Sequence, residues 1–362
     1  MLVHDYHPPC RHRLPSRANE GVTALNYSWK FAATAAAIFA LAACNASSGS
    51  ASVQALIPGG PQAKALSGYT PHQRLRAVSA CNGSRVGEAQ CDALVLTGVS
   101  PNVSGYAPSD LQAAYNLPSS SKGAGQIVAV VDAYDNPNVA TDLAAYRSLF
   151  GLPTVSFRKF NQDGQQRKYP AGNTGWGLEI DLDVEMVSAS CPLCAIYLIE
   201  ANSNSWSDIE TAEAQAVNLG ATIVSNSFSG SGARGSYFDT RHITYLASTG
   251  DSGYGISDPA DFPSVVAVGG TSLTLGGKGR GWIESVWNGS GAGCSTKAKP
   301  AWQHDPGCKF RTADDVSAVA DPYTGVAEYD TYGQRGWLVT GGTSVSAPLG
   351  ACRALRAGIC YN

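Results

Sequence analysis

The chain has 362 residues, with 25 Lys plus Arg against 28 Asp plus Glu and a formal charge of −3. That balance excludes the basic surplus expected of a nucleic-acid-binding face, and a hydrophobic fraction of 44% excludes a wholly disordered chain. Only 15% of residues are charged and 40 are Gly, so the length fits one large or two ordinary domains with a lightly charged, loop-rich surface.

Residues 31–43, FAATAAAIFALAA, form an apolar run after Lys30. The run is too short to span a bilayer, which needs about 20 residues, but it suits the hydrophobic stretch of a signal peptide. It ends in Leu41-Ala42-Ala43-Cys44, which resembles a bacterial lipobox with Cys44 lipidated. Ordinary cleavage near Ala43 with free secretion is the alternative. On either reading a bacterial chain is exported, and it meets membrane only through an anchor on Cys44. Residues 1–44 are therefore read as a leader and residues 45–105 as a linker and short prosegment-like region. Within the latter, 45–68 is rich in Ser, Ala and Gly, and 69–105 predicts a few polar helical turns without a core of their own.

From Tyr106 the texture becomes alternating. Ile127–Val131 is a continuous, mostly β-branched run, as in a buried parallel strand. An amphipathic stretch follows at 138–150, a helix is predicted over 178–190, and a strand over 195–199. A helix near 205–218 leads to a strand at 222–225, with further strands at 243–247 and 264–268. Strands separated by helices predict an α/β fold, a parallel sheet with helices on both faces.

The ten cysteines suit an oxidising compartment. With Cys10 and Cys44 set aside, three local pairs suggest themselves: Cys81 with Cys91, Cys191 with Cys194, and Cys294 with Cys308. Cys191-Pro-Leu-Cys194 could also be a redox motif or half a zinc site, but neither a second CxxC nor a suitably spaced His accompanies it.

Candidate chemistry sits at the strand ends, where open parallel sheets gather functional groups. Asp132 closes the first strand, and Asp251 lies in Thr249-Gly250-Asp251-Ser252-Gly253. Ser344 lies in Gly341-Gly342-Thr343-Ser344-Val345-Ser346-Ala347-Pro348, a glycine turn feeding a helix whose free amides could stabilise an oxyanion. Pro348 is expected in the first helical turn, where it is tolerated. A bare Gly-Thr-Ser would be only a helix cap, but the longer string is more specific. In Trp176–Glu185, Glu179 and Asp183 are i,i+4 neighbours on one helix face, about 5–6 Å apart at Cβ. Two such carboxyls can share a proton. The plainer reading, an acidic solvent-facing helix, is weakened by the apolar Ile180, Leu182, Val184 and Met186 between them. No His stands in a Gly-rich helix start that could serve Ser344, and no GxxxxGK[ST] string supports phosphate binding.

These residues stand in the segments YAPSDLQAAYNLP, GQIVAVVDAYDNPN, GWGLEIDLDVEMVSASCPLC, VSNSF, ASTGDSGYG, VVAVGGTSL, DVSAVADPYTG and GGTSVSAP. Their order and spacing over residues 106–348 resemble the sedolisin family of serine-carboxyl peptidases. The resemblance implies a subtilisin-like α/β fold and endopeptidase or tripeptidyl-peptidase action on proteins or peptides at acid pH, by a monomer. It implies that Ser344 is the nucleophile, Glu179 the general base and Asp183 its support. Asp251 would be the protonated acid donating to the oxyanion, with Asp132 behind them. Phe228 stands where many relatives carry Trp, a change expected to be mild. Acid pH suits this chemistry: at pH 4 a His of pKa about 6.5 is roughly 0.3% basic, whereas a Glu of about 4.3 is roughly one-third ionised.

Two departures qualify the resemblance. The family carries a large folded prosegment, and it continues well beyond its serine with an Asp- and Gly-rich loop that binds calcium through oxygen ligands. Residues 349–362, LGACRALRAGICYN, contain no Asp or Glu, so calcium is expected from the family but its ligand loop is absent from this sequence. That tail reads as a truncation or frameshift that would leave the C-terminal part of the fold missing. A catalytically inactive remnant or binding module on the same fold is therefore the competing reading.

Overall fold

The computed structural model describes residues 75–99, 103–276 and 278–357, apart from the side chains of 352, 353 and 355–357. The leader, Cys10, Cys44, the 45–68 linker and Cys360 lie outside the described residues, as does the side chain of Cys352.

Three short strands come first: β1 (Arg76–Ser79), β2 (Ala89–Cys91) and β3 (Leu94–Thr97). The helical turns expected in this region are not formed among the described residues. Instead the backbone alternates, and its amides pair with strands from later in the chain. There follow α1 (Pro108–Tyr115), β4 (Ile127–Ala133), α2 (Val139–Leu149), β5 (Phe157–Asn161), α3 (Thr174–Ser190) and β6 (Ala195–Ala201). Next come α4 (Trp206–Asn218), β7 (Ile223–Asn226), β8 (Phe228–Gly230), β9 (Thr244–Ser248) and β10 (Val265–Leu275). The remaining strands are β11 (Trp282–Val286), β12 (Gly293–Cys294), β13 (Thr312–Ala313), β14 (Val316–Val319), β15 (Val326–Asp330) and β16 (Gly336–Gly341), before α5 (Thr343–Ala357).

The central sheet runs β11-β10-β9-β7-β4-β6-β5, with β14 beside β10. All its pairings are parallel except β10 with β11. The two faces of β4 explain its composition. Val128 and Val130 pack with Ile180 and Val184 of α3 and Ala347 of α5, while Ala129 and Val131 face Ile209 and Ala212 of α4. Burial on both faces calls for a run of β-branched residues rather than an alternation. The subtilisin-like α/β expectation is met.

A second, antiparallel sheet runs β1-β3-β16-β15. Cys81–Cys91, Cys191–Cys194 and Cys294–Cys308 are disulfides, so Cys191-Pro-Leu-Cys194 is neither a zinc half-site nor a free dithiol. No helix among the described residues is long and apolar enough to cross a membrane.

Candidate active site

Helix α3 opens at Asn173, whose Oδ1 accepts from Gly175 N at 3.0 Å and Trp176 N at 3.1 Å, satisfying two amides that the first turn would otherwise leave unpaired. From Trp176 to Ser190 every residue is buried. Glu179, Asp181, Asp183 and Glu185 therefore all sit in the interior, and the helix is not a solvent-facing acidic surface. The i,i+2 offset divides them. Asp181 accepts from Asn136 Nδ2 at 2.6 Å and Glu185 from Tyr329 N at 3.0 Å, on the side toward α2 and β15. Glu179 and Asp183 face Asp132 and the start of α5.

Electrostatics follow from burial. Glu179 is held well above the usual carboxylate range, first by desolvation and then by repulsion from Asp183 and Asp132, with the nearby Ser344 hydroxyl opposing. Asp183 is raised by burial, against a hydrogen-bonding influence from Ser227. Asp132 is raised by burial and then by Asp183, Glu200 and Glu213. Neither Glu179 oxygen has a hydrogen-bond partner. The Ser344 hydroxyl donates instead to the Ser227 carbonyl at 3.2 Å.

Helix α5 begins at Thr343, so Pro348 is its sixth residue rather than part of its first turn. This corrects the expectation from sequence. Pro348 has no amide for the carbonyl of Ser344, four residues back. That carbonyl receives the Ser227 hydroxyl at 3.4 Å, which accommodates the proline.

Asp251 lies beside the same turn. Its Oδ1 accepts from Thr343 N at 2.7 Å and Thr343 Oγ1 at 2.9 Å, while Oδ2 is buried and unpartnered. Burial, followed by the charge of Asp92, raises its pKa well above the ordinary value, against the two Thr343 donors. A proton on Oδ2 then gives a donor, which is what the sequence resemblance implies of Asp251. Gly342 has φ +94°, and a Cβ there would lie 2.0 Å from the Asp92 carbonyl oxygen and 2.6 Å from Asp251 Oδ2. Glycine is required both by the left-handed backbone and by this close approach.

Asp92 is the residue that the sequence reading missed. Its backbone N donates to Ser227 O at 3.2 Å, and its carbonyl accepts from Ser344 N at 3.4 Å. Its carboxylate accepts from Ser229 Oγ at 2.8 Å and Ser248 Oγ at 2.7 Å, and burial pushes its pKa up to about 7 against those two bonds. A cleft of about 410 Å³, lined by Gln90, Asp92, Ser229, Thr249, Asp251 and Tyr254 among others, opens here. The signal available in sequence was the short apolar run Ala93–Leu96 after Cys91, too brief to assign by itself. His242 and His304 are exposed and outside this cluster.

On the far side of α3, carboxyl oxygens of Asp142, Asp181 and Asp330 lie within 4.8 Å of one another, a group able to hold a cation or to share protons.

Comparison with known proteins agrees with the fold. No family model matches the chain. Kumamolisin of Bacillus sp. (strain MN-32) is 29% identical over 293 residues, covering 69% of this chain and 52% of that protein. Sedolisin of Pseudomonas sp. (strain 101) is 26% identical over 312 residues, covering 73% and 52%. A solved structure of Pseudomonas sedolisin, a serine-carboxyl proteinase complexed with two molecules of pseudo-iodotyrostatin, superposes with a TM-score of 0.57 at 24% identity, covering 71% of this chain and 82% of that one. The architecture is thus the subtilisin-like α/β fold. The chain is similar in sequence to these two sedolisin-type peptidases, and it spans about half the length of the curated relatives it matches.

Proposed function

We propose that this chain is an exported serine-type peptidase that cuts peptide bonds in proteins at acid pH. The observation that carries the reading is that Ser344 N donates to the Asp92 carbonyl at 3.4 Å, while that carbonyl oxygen and Asp251 Oδ2 both lie close against the Gly342 turn. Glu179 and Asp183 stand behind the serine. In this reading Ser344 Oγ adds to the carbonyl carbon of a bound peptide while Glu179 takes its proton. Asp251, protonated on Oδ2, and the Ser344 amide donate to the developing oxyanion. Glu179 then returns the proton to the leaving amine, and water resolves the ester by the same route.

Acidity serves both halves. Asp183 and Asp132 raise Glu179 only while they are charged. Once they are protonated that repulsion vanishes, leaving burial to raise Glu179 against the opposing Ser344 hydroxyl. The same low pH keeps Asp251 a donor. Three disulfides support an oxidising compartment, in line with the leader-like segment at 31–44. No step passes through a metal. The test is hydrolysis of an unfolded protein between about pH 3 and 5. Ser344→Ala is expected to lower the rate by about 10⁴-fold or more, and equal rates in the two proteins would end the proposal.

A further inference from the structure

The second pair of acids on helix α3, turned away from Ser344, meets three more acids there. Asp142 comes from α2, Asp181 and Glu185 from α3, and Glu328 and Asp330 from β15. All five are fully buried, and among the described residues no Lys, Arg or His forms a salt bridge with any of them. Their charges reach one another: Asp330, Asp142 and Glu328 act on Asp181, and Asp181, Glu328 and Asp142 act on Glu185. Buried carboxylates in such a group must be neutralised, paired or bound to a metal.

Three of them form the tightest set. Asp142, Asp181 and Asp330 each offer a carboxyl oxygen, and these oxygens lie within 4.8 Å of one another. Donors from outside the set hold each carboxyl in place. Asn136 Nδ2 donates to Asp181 Oδ2 at 2.6 Å, Tyr332 N to Asp330 Oδ1 at 2.5 Å, and Thr331 N to Asp142 Oδ2 at 2.9 Å. Independently of that spacing, Asp181 Oδ1 and Asp330 Oδ2 are buried with no hydrogen-bond partner. A carboxylate tied through one oxygen and free at the other is arranged as a metal ligand with its supporting donor.

The chemistry of the set selects the ion. It offers oxygen alone, with neither thiolate nor imidazole, which suits a hard cation. Oxygens about 2.3–2.6 Å from a calcium ion can stand up to about 5 Å apart, and calcium tolerates irregular coordination. The ion also has a short way in, because Thr331, the residue after Asp330, is exposed.

We propose that Asp142, Asp181 and Asp330 bind a divalent cation of calcium's size, which clamps α2 and α3 to the end of β15. All three ligands precede Ser344, so the site is separate from the calcium loop that the sequence resemblance implies beyond the serine. Without the ion, protons are the remaining means of neutralising the set.

The experiment compares the melting temperature of the full chain at about pH 7 in EDTA and in about 10 mM calcium chloride. Calcium is expected to raise it by about 3–10 °C. Magnesium chloride is expected to raise it less, because magnesium demands a tighter octahedron. Asp330→Asn and Asp142→Asn each replace one ligand carboxylate by an amide of the same shape, and each is expected to lose most of the calcium-dependent rise. Terbium, an oxygen-seeking probe of similar size, gives a second readout. Tyr146 lies beside Glu185 and Glu328 and 6.1 Å from Trp337, so excitation of these rings is expected to sensitise bound terbium. That luminescence is expected to be displaced by calcium and lost in Asp330→Asn. Asp142 also holds Thr331, so if Asp142→Asn fails to fold, Asp330→Asn and the terbium titration decide the matter. No calcium-dependent rise in the wild type overturns the inference. An equal rise, or equal terbium luminescence, in wild type and Asp330→Asn overturns it too. Neither readout uses peptide hydrolysis, so the peptidase reading stands or falls separately.

Discussion

The acids of helix α3 and those of the 258–315 segment are treated in opposite ways by the fold. On α3, four carboxyls within seven residues are fully buried, and among the described residues no salt bridge reaches any of them. In the 258–315 segment three acids have a cation: Lys297 meets Asp258 at 3.2 Å, Lys299 meets Asp305 at 3.0 Å, and Arg311 meets Asp315 at 2.6 Å. Burial tends to raise Asp305, yet Thr312 and Lys299 outweigh it and hold the carboxyl below its usual range. A buried charge must be paired or neutralised. The loop pairs these three acids with cations, and the helix leaves its own to be neutralised by protons. The first device works near neutrality, whereas the second favours the protonated, neutral form of its carboxyls.

Substitutions at the two regions should separate these devices. Glu179→Gln removes the proton acceptor while preserving shape, so peptide hydrolysis should fall by about 10⁴-fold, with far-UV circular dichroism unchanged. Full retained activity would mean that the α3 acids are structural. Arg311→Ala strands Asp315, which is buried with it and also accepts from Ala267 N at 2.8 Å. A loss of about 3–5 kcal/mol is expected in denaturant titrations at neutral pH, with less at pH 4, where Asp315 can take a proton.

The pH dependence of the wild type tests the helix itself. Asp181 is raised well above 3.8 by burial, then by Asp330, Asp142 and Glu328. A group whose folded-state pKa is raised binds more protons folded than unfolded. Stability is therefore greatest below about pH 4 and declines as pH rises through the folded value. The melting temperature should fall from pH 4 to pH 7. Asp181→Asn should make that fall shallower, by about 2–4 °C for each kcal/mol of repulsion removed. A melting temperature that rises over the same interval would contradict the comparison. Lys299→Ala should do least: its partner Asp305 is half exposed, and such pairs contribute about 0–1 kcal/mol.

Much of the frame was legible because its signals are local. Ile127–Val131 could only be a doubly covered strand, and the apolar residues between the acids of 179–185 already pointed to a buried helix. The local cysteine pairs were legible for the same reason. What escaped notice depends on distant partners. Residues 89–97 carry little that distinguishes a strand from a polar turn until β8 and β16 supply the other half of each ladder. Asp92 gains meaning only from Ser229 and Ser248, more than a hundred positions away. Pro348 misled in the other direction. Its position argued for a helix starting near it, but the lost amide is offset by Ser227, a residue that no local rule could nominate.

That offset has a mechanical side. Because proline removes the rung between residues 344 and 348, the backbone of Ser344 is tied sideways to the β7–β8 turn rather than along its own helix. The same turn residue holds the serine at its carbonyl and at its hydroxyl. Axial strain along α5 thus has a broken rung to cross before it reaches the nucleophile, whereas a shift of the β7–β8 turn would carry the serine with it.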